Sequence, residues 1–180
     1  MRKLQNDELD RISVEEYKKS RKIPVVVVLD NVRSQNNVGS VFRTADAFRL
    51  EGIFLCGITA TPPHREIHKT ALGATESVPW EYREETTMAI GELKQKGYTI
   101  LSVEQTVGAI PLHELKLSGE EKVVLVFGHE IRGVDQKVVD MSDRTIEIPQ
   151  FGTKHSLNIS VAAGIVIWEL SRQFHVEIRK

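Results

Sequence analysis

The sequence is poor in cysteine and in long apolar runs, and both shortages narrow the classes of protein to consider. Cys56 is the single cysteine among 180 residues, which excludes an internal disulfide framework and a zinc cluster built on cysteines. We therefore expect a reducing compartment, the cytoplasm. Residues 1–22 contain no apolar stretch, and the apolar run near the C-terminus is interrupted by Asn158, Ser160 and Gly164. The sequence predicts neither a secretory signal nor a membrane span.

Neither basic nor acidic residues are in excess. The 24 lysines and arginines offset 25 aspartates and glutamates, giving a formal net charge of -1. Any nucleic-acid-binding surface must therefore be local. With 12 glycines and 6 prolines the chain is not fibrous or disordered, and 41 % hydrophobic residues suffice for a core. The length predicts one domain, which we place at 23–180, after a charged N-terminal arm at 1–22.

The arm has the composition of a weakly amphipathic helix. Its apolar residues are Leu4, Leu9, Ile12 and Tyr17. It ends in a basic cluster formed by Lys18, Lys19, Arg21 and Lys22. A solvated face explains this cluster more simply than a contact with RNA phosphates does.

From residue 24 onward, strand and helix patterns alternate. The run Val-Val-Val-Val-Leu at 25–29 is typical of a strand buried on both faces. Further strands are predicted at 52–57, 98–103, 122–127 and 145–148, and helices at 37–48, 84–96, 134–141 and 157–174. This alternation indicates an open parallel α/β sheet. Because such sheets bind ligands at the carboxyl ends of their strands, the loops after Leu29, Val103, Phe127 and Ile148 are the candidate site.

Several familiar motifs do not occur. The chain has no glycine-rich dinucleotide fingerprint, no P-loop and no nucleophile elbow. His64 and His68 are one helical turn apart, but Glu66 stands third in the segment, where zinc helices require it second or fourth. We interpret the pair as surface histidines, with an RNA-phosphate contact as the alternative, and predict no metal site.

Three polar segments follow strand ends and are harder to explain by packing. In the first, Asn37 is a candidate helix N-cap, and Arg43 needs polar partners if its helix packs on the sheet. In the second, Gly128 lets backbone approach a ligand, while Glu130 has a simpler interpretation as a favourable charge at the next helix N-terminus. In the third, Ser156 is a candidate N-cap, and Asn158 beside an apolar helix requires a polar partner.

Taken together, these segments resemble the three motifs of the SpoU (TrmH-like) RNA ribose 2′-O-methyltransferases of the SPOUT class. The patterns are N-x-G-x-x-x-R from Asn37, F-G-x-E-x-x-G from Phe127 and I-P-x-x-G-x-x-x-S-L-N-x-S-V-A from Ile148. Their joint occurrence, within a resemblance covering 24–174, is specific. The resemblance implies a parallel-sheet α/β knot, in which a C-terminal trefoil knot threads the chain through a loop to form the cofactor pocket. It also implies S-adenosyl-L-methionine as cofactor, RNA as substrate and a homodimer.

The resemblance also implies the roles of individual residues. The catalytic and substrate-positioning set is Asn37, Arg43, Glu130, Ser156 and Asn158. The cofactor-binding set, acting mainly through backbone, is Val103, Gly128, Ile148, Ser156 and Leu157. Two positions depart from the family pattern and are expected near the pocket: His129, where a small or amide side chain is common, and Gln150, where Met is common.

The implied reaction is methyl transfer to a ribose 2′-hydroxyl of tRNA or rRNA, and by analogy with compact members tRNA is favoured. The family arginine is often proposed as the general base, but neutralising an arginine at neutral pH costs about 8 kcal/mol. We therefore predict that Arg43 stays cationic, binds an RNA phosphate and stabilises charge on the 2′-oxygen.

Two alternatives remain. A non-catalytic RNA-binding module could retain the fold, although it would not need all five catalytic positions. A small-molecule methyltransferase would need neither Arg43 nor the basic arm. Comparing methylation of RNA with that of free nucleosides separates these alternatives from the main prediction.

Overall fold

A computed structural model describes residues 1–174, so the last six residues of the predicted 23–180 domain lie outside the described part. A seven-stranded sheet forms its centre. The strands are β1 (Ile23–Asp30), β2 (Leu50–Cys56), β3 (Trp80–Arg83), β4 (Tyr98–Val103), β5 (Ile110–Pro111), β6 (Lys122–Phe127) and β7 (Arg144–Glu147). They are arranged in the order β3-β2-β1-β6-β4-β7-β5, and every neighbouring pair is parallel. The prediction of a parallel α/β sheet is confirmed.

In the described part of the chain, seven α-helices accompany the sheet. They are α1 (Val14–Lys19), α2 (Gln35–Ala47), α3 (Arg65–Ala71), α4 (Ala74–Ser77), α5 (Thr86–Gln95), α6 (Gln136–Met141) and α7 (Ile159–Gln173). The four predicted helices correspond to α2, α5, α6 and α7 with shifted ends. Helices α3 and α4 and strands β3 and β5 were missed, because these short elements carry neither an apolar run nor a clear hydrophobic period.

The sheet separates two hydrophobic layers, as β1 illustrates. Val25, Val27 and Leu29 pack in the layer that includes α2 and α7, whereas Val26 and Val28 pack in the layer of α5 and α6. All five are buried, so the β-branched run belongs to a strand covered on both faces, as predicted.

Two helix N-caps differ from the prediction. Ser34, not Asn37, caps α2, its hydroxyl accepting the Asn37 amide hydrogen at 3.3 Å. Asn158, not Ser156, caps α7, its Oδ1 accepting the Ser160 amide hydrogen at 2.9 Å. The first shift places Asn37 inside the first turn, where its side chain can reach another element.

The N-terminal segment is helical only in part. Ser13 caps α1, and the Tyr17 ring is buried in the core with its hydroxyl donating to the Leu50 carbonyl oxygen at 3.3 Å. Leu4, Leu9 and Ile12 are exposed. None of the helices within residues 1–174 combines the length and the hydrophobicity that a membrane span requires.

The strand order determines where the polar segments meet. Strands β1, β6, β4 and β7 are consecutive neighbours, and all are parallel. The loops that follow them therefore lie side by side at one edge of the sheet. This is the edge at which the sequence predicts a site.

Candidate functional site

A cavity of about 320 Å³ opens at the carboxyl ends of β4, β6 and β7. Its volume is in the range of small-molecule sites. All five residues of the predicted cofactor set line it: Val103, Gly128, Ile148, Ser156 and Leu157. The two positions that depart from the family pattern, His129 and Gln150, also line it. Their places in one cavity are structural facts, whereas their roles toward a cofactor stay predictions.

A tight turn after β6 forms one wall of this cavity. His129 and Gly133 pair through two backbone hydrogen bonds of 3.0 and 2.8 Å. A Cβ atom on Gly128 would lie 2.1 Å from the backbone of Gly133 and of Val134, and Gly133 has a φ of +69°. Both positions therefore require glycine, and the turn brings bare backbone to the cavity.

A chain of side-chain hydrogen bonds connects the three polar segments. Nδ2 of Asn158 donates to Oδ1 of Asn37 at 3.1 Å, and Nδ2 of Asn37 donates to Oε1 of Glu130 at 3.4 Å. Asn37 is buried. The predicted polar partner of Asn158 is thus Asn37, 121 residues away in sequence.

Glu130 faces the start of α2 rather than the helix that follows it in sequence. Its carboxylate accepts the amide hydrogens of Arg33 at 3.0 Å and Ser34 at 2.8 Å, whereas α6 begins at Gln136 with Asp135 as its cap. The simpler interpretation of Glu130, as a charge for the next helix, is wrong. The carboxylate instead satisfies amides where α2 begins, which lack partners within the helix.

These contacts shift the protonation of Glu130. Partial burial opposes ionisation and is the largest single effect, but the hydrogen bonds from Arg33, Ser34 and Asn37 together outweigh it, so the pKa of Glu130 lies below its ordinary value. A carboxyl whose folded-state pKa is depressed stabilises the fold above its unfolded-state pKa. That contribution is lost as the pH falls through the folded-state value.

We expect Glu130→Gln to lower the free energy of unfolding at neutral pH by about 1–2 kcal/mol, because one amide oxygen replaces two charged acceptors. The difference from wild type should shrink as the pH falls below the ordinary carboxyl value of 4.5. Urea unfolding across an acidic pH series measures this. The exposed Glu120 provides the control variant, Glu120→Gln. A wild-type advantage that stays constant down to about pH 3 would contradict the depressed pKa.

Arg43 departs most from expectation. The sequence suggests a packed helix face that would force this arginine to find partners, but its side chain is exposed. The buried residues of α2 lie on its other faces, Val38, Val41, Phe42 and Ala45 among them. Arg43 does not line the cavity; it lines a separate groove together with Arg11 and Arg49.

Sequence reasoning missed two cavity residues, Glu104 and Gln105, which follow β4 directly. Glu104 Oε2 accepts the amide hydrogen of Val134 at 2.9 Å. Gln105 Nε2 donates to the carbonyl oxygen of His155 at 3.0 Å. The strand-end rule does point to this loop. However, the family motifs do not include it, and the prediction stopped at Val103.

The two histidines of the rejected zinc motif lie elsewhere, on α3. His64 and His68 are exposed, and Nδ1 of His64 accepts the amide hydrogen of Glu66 at 3.3 Å as the cap of that helix. Within residues 1–174 no group of three or more histidine, cysteine or acidic side chains is arranged to hold a metal ion.

Comparison with known proteins agrees with this geometry. The model of the SpoU rRNA Methylase family matches residues 24–168. The chain belongs to the SpoU methylase family. This SpoU-family chain is 30 % identical over 162 residues to a Staphylococcus haemolyticus protein described as a TrmH family tRNA/rRNA methyltransferase. That alignment covers 90 % of this chain and 64 % of the relative, so the chain spans less than two thirds of the relative's length.

Solved structures of the family share the fold. The A. aeolicus TrmH/SpoU tRNA modifying enzyme has a TM-score of 0.78 and 26 % identity, covering 89 % of this chain and 81 % of that one. The AdoMet-bound rRNA methyltransferase from Sinorhizobium meliloti has a TM-score of 0.78 and 27 % identity, covering 89 % of this chain and 61 % of that one. SpoU-family proteins of this fold thus include one with AdoMet (S-adenosylmethionine) bound.

Proposed function

We propose that this chain transfers a methyl group from S-adenosylmethionine to a ribose 2′-hydroxyl of RNA, with tRNA as the favoured substrate. One observation carries the proposal. Three segments far apart in sequence meet beside one cavity, where Asn158, Asn37 and Glu130 form a continuous chain of hydrogen bonds. Glu130 lines the cavity, whereas Asn37 and Asn158 lie outside it. A fold retained only for binding would not require this arrangement.

The cavity lining fits the proposed cofactor. Val103, Ile148 and Leu157 offer apolar surface to a purine ring, and the glycine turn offers backbone groups to its polar edge. Glu147 adds an acidic residue to the same lining, which suits a cationic sulfonium. The cofactor supplies an activated methyl group, so the protein's task is to align the ribose oxygen and to help it lose a proton.

The chain's own residues provide that alignment. The side-chain amide of Asn37 donates to Glu130, and the side-chain amide of Asn158 donates to Asn37. Both asparagine side chains are therefore oriented, and within residues 1–174 each keeps a free hydrogen-bonding position for a ribose. We propose that Arg43 remains charged and binds an RNA phosphate near the reacting hydroxyl, with that phosphate or another acceptor taking the proton. Ser156, exposed at the cavity, is proposed to position the substrate.

The proposal includes a homodimer. Val161, Ile165 and Trp168 recur at helical spacing along one side of α7 and are exposed, Trp168 by 57 %, and the exposed Leu157 lies just before the helix. Phe48, the residue that follows α2, contacts the Trp168 ring edge to face, with 5.9 Å between ring centroids, and extends this apolar strip. A second copy of the chain would cover the strip.

The proposal has four further parts: the class of RNA, the trefoil knot, the location and the N-terminal arm. Transfer RNA is favoured because the A. aeolicus tRNA modifying enzyme is matched over more of its length than the S. meliloti rRNA enzyme is. The trefoil knot is proposed from the family resemblance, and the Gln105–His155 hydrogen bond joins the two loops between which the family forms it. A cytoplasmic location and an arm at 1–22 complete the proposal.

The decisive experiment measures tritium transfer from labelled S-adenosylmethionine to total tRNA, to rRNA and to free nucleosides. We expect label in tRNA, recovered as a 2′-O-methylnucleoside after digestion, and at least about 100-fold less with Arg43→Ala. Label in rRNA alone would correct the substrate class. Cofactor binding without labelling of any RNA would favour a binding module, and label in free nucleosides would favour a small-molecule methyltransferase.

A further inference from the structure

Two consecutive residues after β4 are attached to both loops that build the cavity. Glu104 reaches the end of the glycine turn after β6, where its Oε2 accepts the Val134 amide hydrogen at 2.9 Å. Gln105 reaches the loop after β7, where its Nε2 donates to the His155 carbonyl oxygen at 3.0 Å. Each loop is therefore joined by a side chain to the same short segment.

Glu104 is itself held rigidly. Its backbone amide donates to the Ile146 carbonyl oxygen at 3.0 Å, and its Oε1 accepts the Gln105 amide hydrogen at 2.9 Å. The carboxylate also fills the space beside Gly133, since a Cβ atom there would lie 2.1 Å from Oε2. The turn after β6 is thus shaped around this carboxylate as well as around its own backbone hydrogen bonds.

Gln105 is equally important to the loop after β7. Within residues 1–174, its bond to His155 is the one hydrogen bond that residues 149–157 make with residues 1–148. Residues 151–157 of this loop are exposed, Phe151 by 96 %. Because the loop buries so little apolar surface, its position depends on this polar contact.

We propose that Glu104 and Gln105 form a clamp that sets the spacing of the two loops and so determines the affinity for the cofactor. They act as positioning residues, Glu104 through the backbone of Val134 and Gln105 through that of His155. The clamp rests on the proposed function, because it presumes that the cavity takes S-adenosylmethionine. Its effect is preorganisation, since a loop already held in place loses less entropy on binding.

Calorimetric titration of the full chain with S-adenosylmethionine tests the clamp. Glu104→Ala should raise the Kd about 10- to 100-fold, and Gln105→Ala roughly 3- to 10-fold, because the first bond has a charged acceptor and the second does not. Glu104→Gln should recover part of the loss, since its amide oxygen can still accept from Val134. Such rescue distinguishes positioning from general damage to the fold. The matched controls, Glu120→Ala and Gln95→Ala, alter exposed residues away from the cavity and should bind as wild type does.

Hydrogen exchange and limited proteolysis of the ligand-free protein give independent measurements. Glu104→Ala should speed exchange of the Val134 amide. Within residues 1–174, residues 149–157 donate no backbone hydrogen bond that would slow exchange, so for Gln105→Ala the readout is faster tryptic cleavage after the exposed Lys154. Unchanged exchange and cleavage, or wild-type affinity in both alanine variants, would overturn the clamp. If wild-type protein does not bind S-adenosylmethionine, the proposed function fails, and the exchange and cleavage rates still decide whether the clamp holds the loops.

Discussion

Arg43→Ala should lower the rate of RNA methylation by about 100- to 1,000-fold, the usual cost of removing a group that stabilises charge developing in the transition state. Its affinity for S-adenosylmethionine should equal that of wild type, because Arg43 does not line the cavity. Thermal stability should also be unchanged, since the side chain is exposed. Single-turnover methylation measures the rate, and calorimetric titration measures the affinity for S-adenosylmethionine.

Arg43→Lys distinguishes the two roles considered for this residue. A cationic clamp needs positive charge near a phosphate, so lysine should retain a measurable part of the activity, although it lacks the bidentate geometry of arginine. Arg2→Ala, which removes an exposed arginine paired with Glu8, serves as the control and should be fully active. If Arg43→Lys binds RNA normally and is as inactive as Arg43→Ala, a purely electrostatic role is contradicted.

The sheet could be predicted because its signal is local. A strand buried on both faces needs apolar residues at consecutive positions, and the run at 25–29 has them. Strands β4, β6 and β7 and helices α5 and α7 likewise carry enough consecutive pattern to show themselves. Strand β5, with two residues, and helix α4, with four, are defined by their neighbours in the fold and leave no such pattern.

The candidate site was predictable to the level of segments but not of contacts. The polar partner required by Asn158 could be anticipated from the cost of leaving an amide unsatisfied beside an apolar helix. That the partner is Asn37 depends on how α2 and α7 pack, which neither segment encodes alone. Glu104 was missed for the same reason: its contact with Val134 spans 30 residues and exists only because β4 and β6 are neighbours.

Within one copy of the chain, Arg43 lies outside the cavity at which the proposed reaction occurs. The motif that carries it begins with Asn37, which belongs to the hydrogen-bond chain beside the cavity, yet Arg43 opens into a groove with Arg11 and Arg49. Leu157, two residues before α7, adjoins the exposed apolar strip of that helix in sequence and also lines the cavity. A second copy docked on this strip would therefore approach the cavity mouth. We predict that Arg43 of one copy serves the cavity of the other.

Mixing two inactive variants tests this directly. Arg43→Ala keeps an intact cavity, whereas Gly128→Ala keeps Arg43 but places a Cβ atom 2.1 Å from the backbone of the turn. In a two-fold dimer, random pairing makes half of the dimers mixed and leaves one complete site in each, so about a quarter of wild-type activity should return. Asn158→Ala can replace Gly128→Ala if the glycine variant does not fold.

Differently tagged chains, coexpressed and purified through both tags, isolate the mixed dimer and show that it has formed. Light scattering of wild-type protein should give twice the mass of one chain. A mixed dimer with no more activity than its parents would mean that Arg43 serves the cavity of its own copy, reached by a movement of α2. A purified mixed dimer with half the wild-type activity would mean that Arg43 serves the cavity of the other copy. One of its two sites then combines the intact cavity of the Arg43→Ala copy with the intact Arg43 of the Gly128→Ala copy, because a two-fold axis places each arginine beside the opposite cavity.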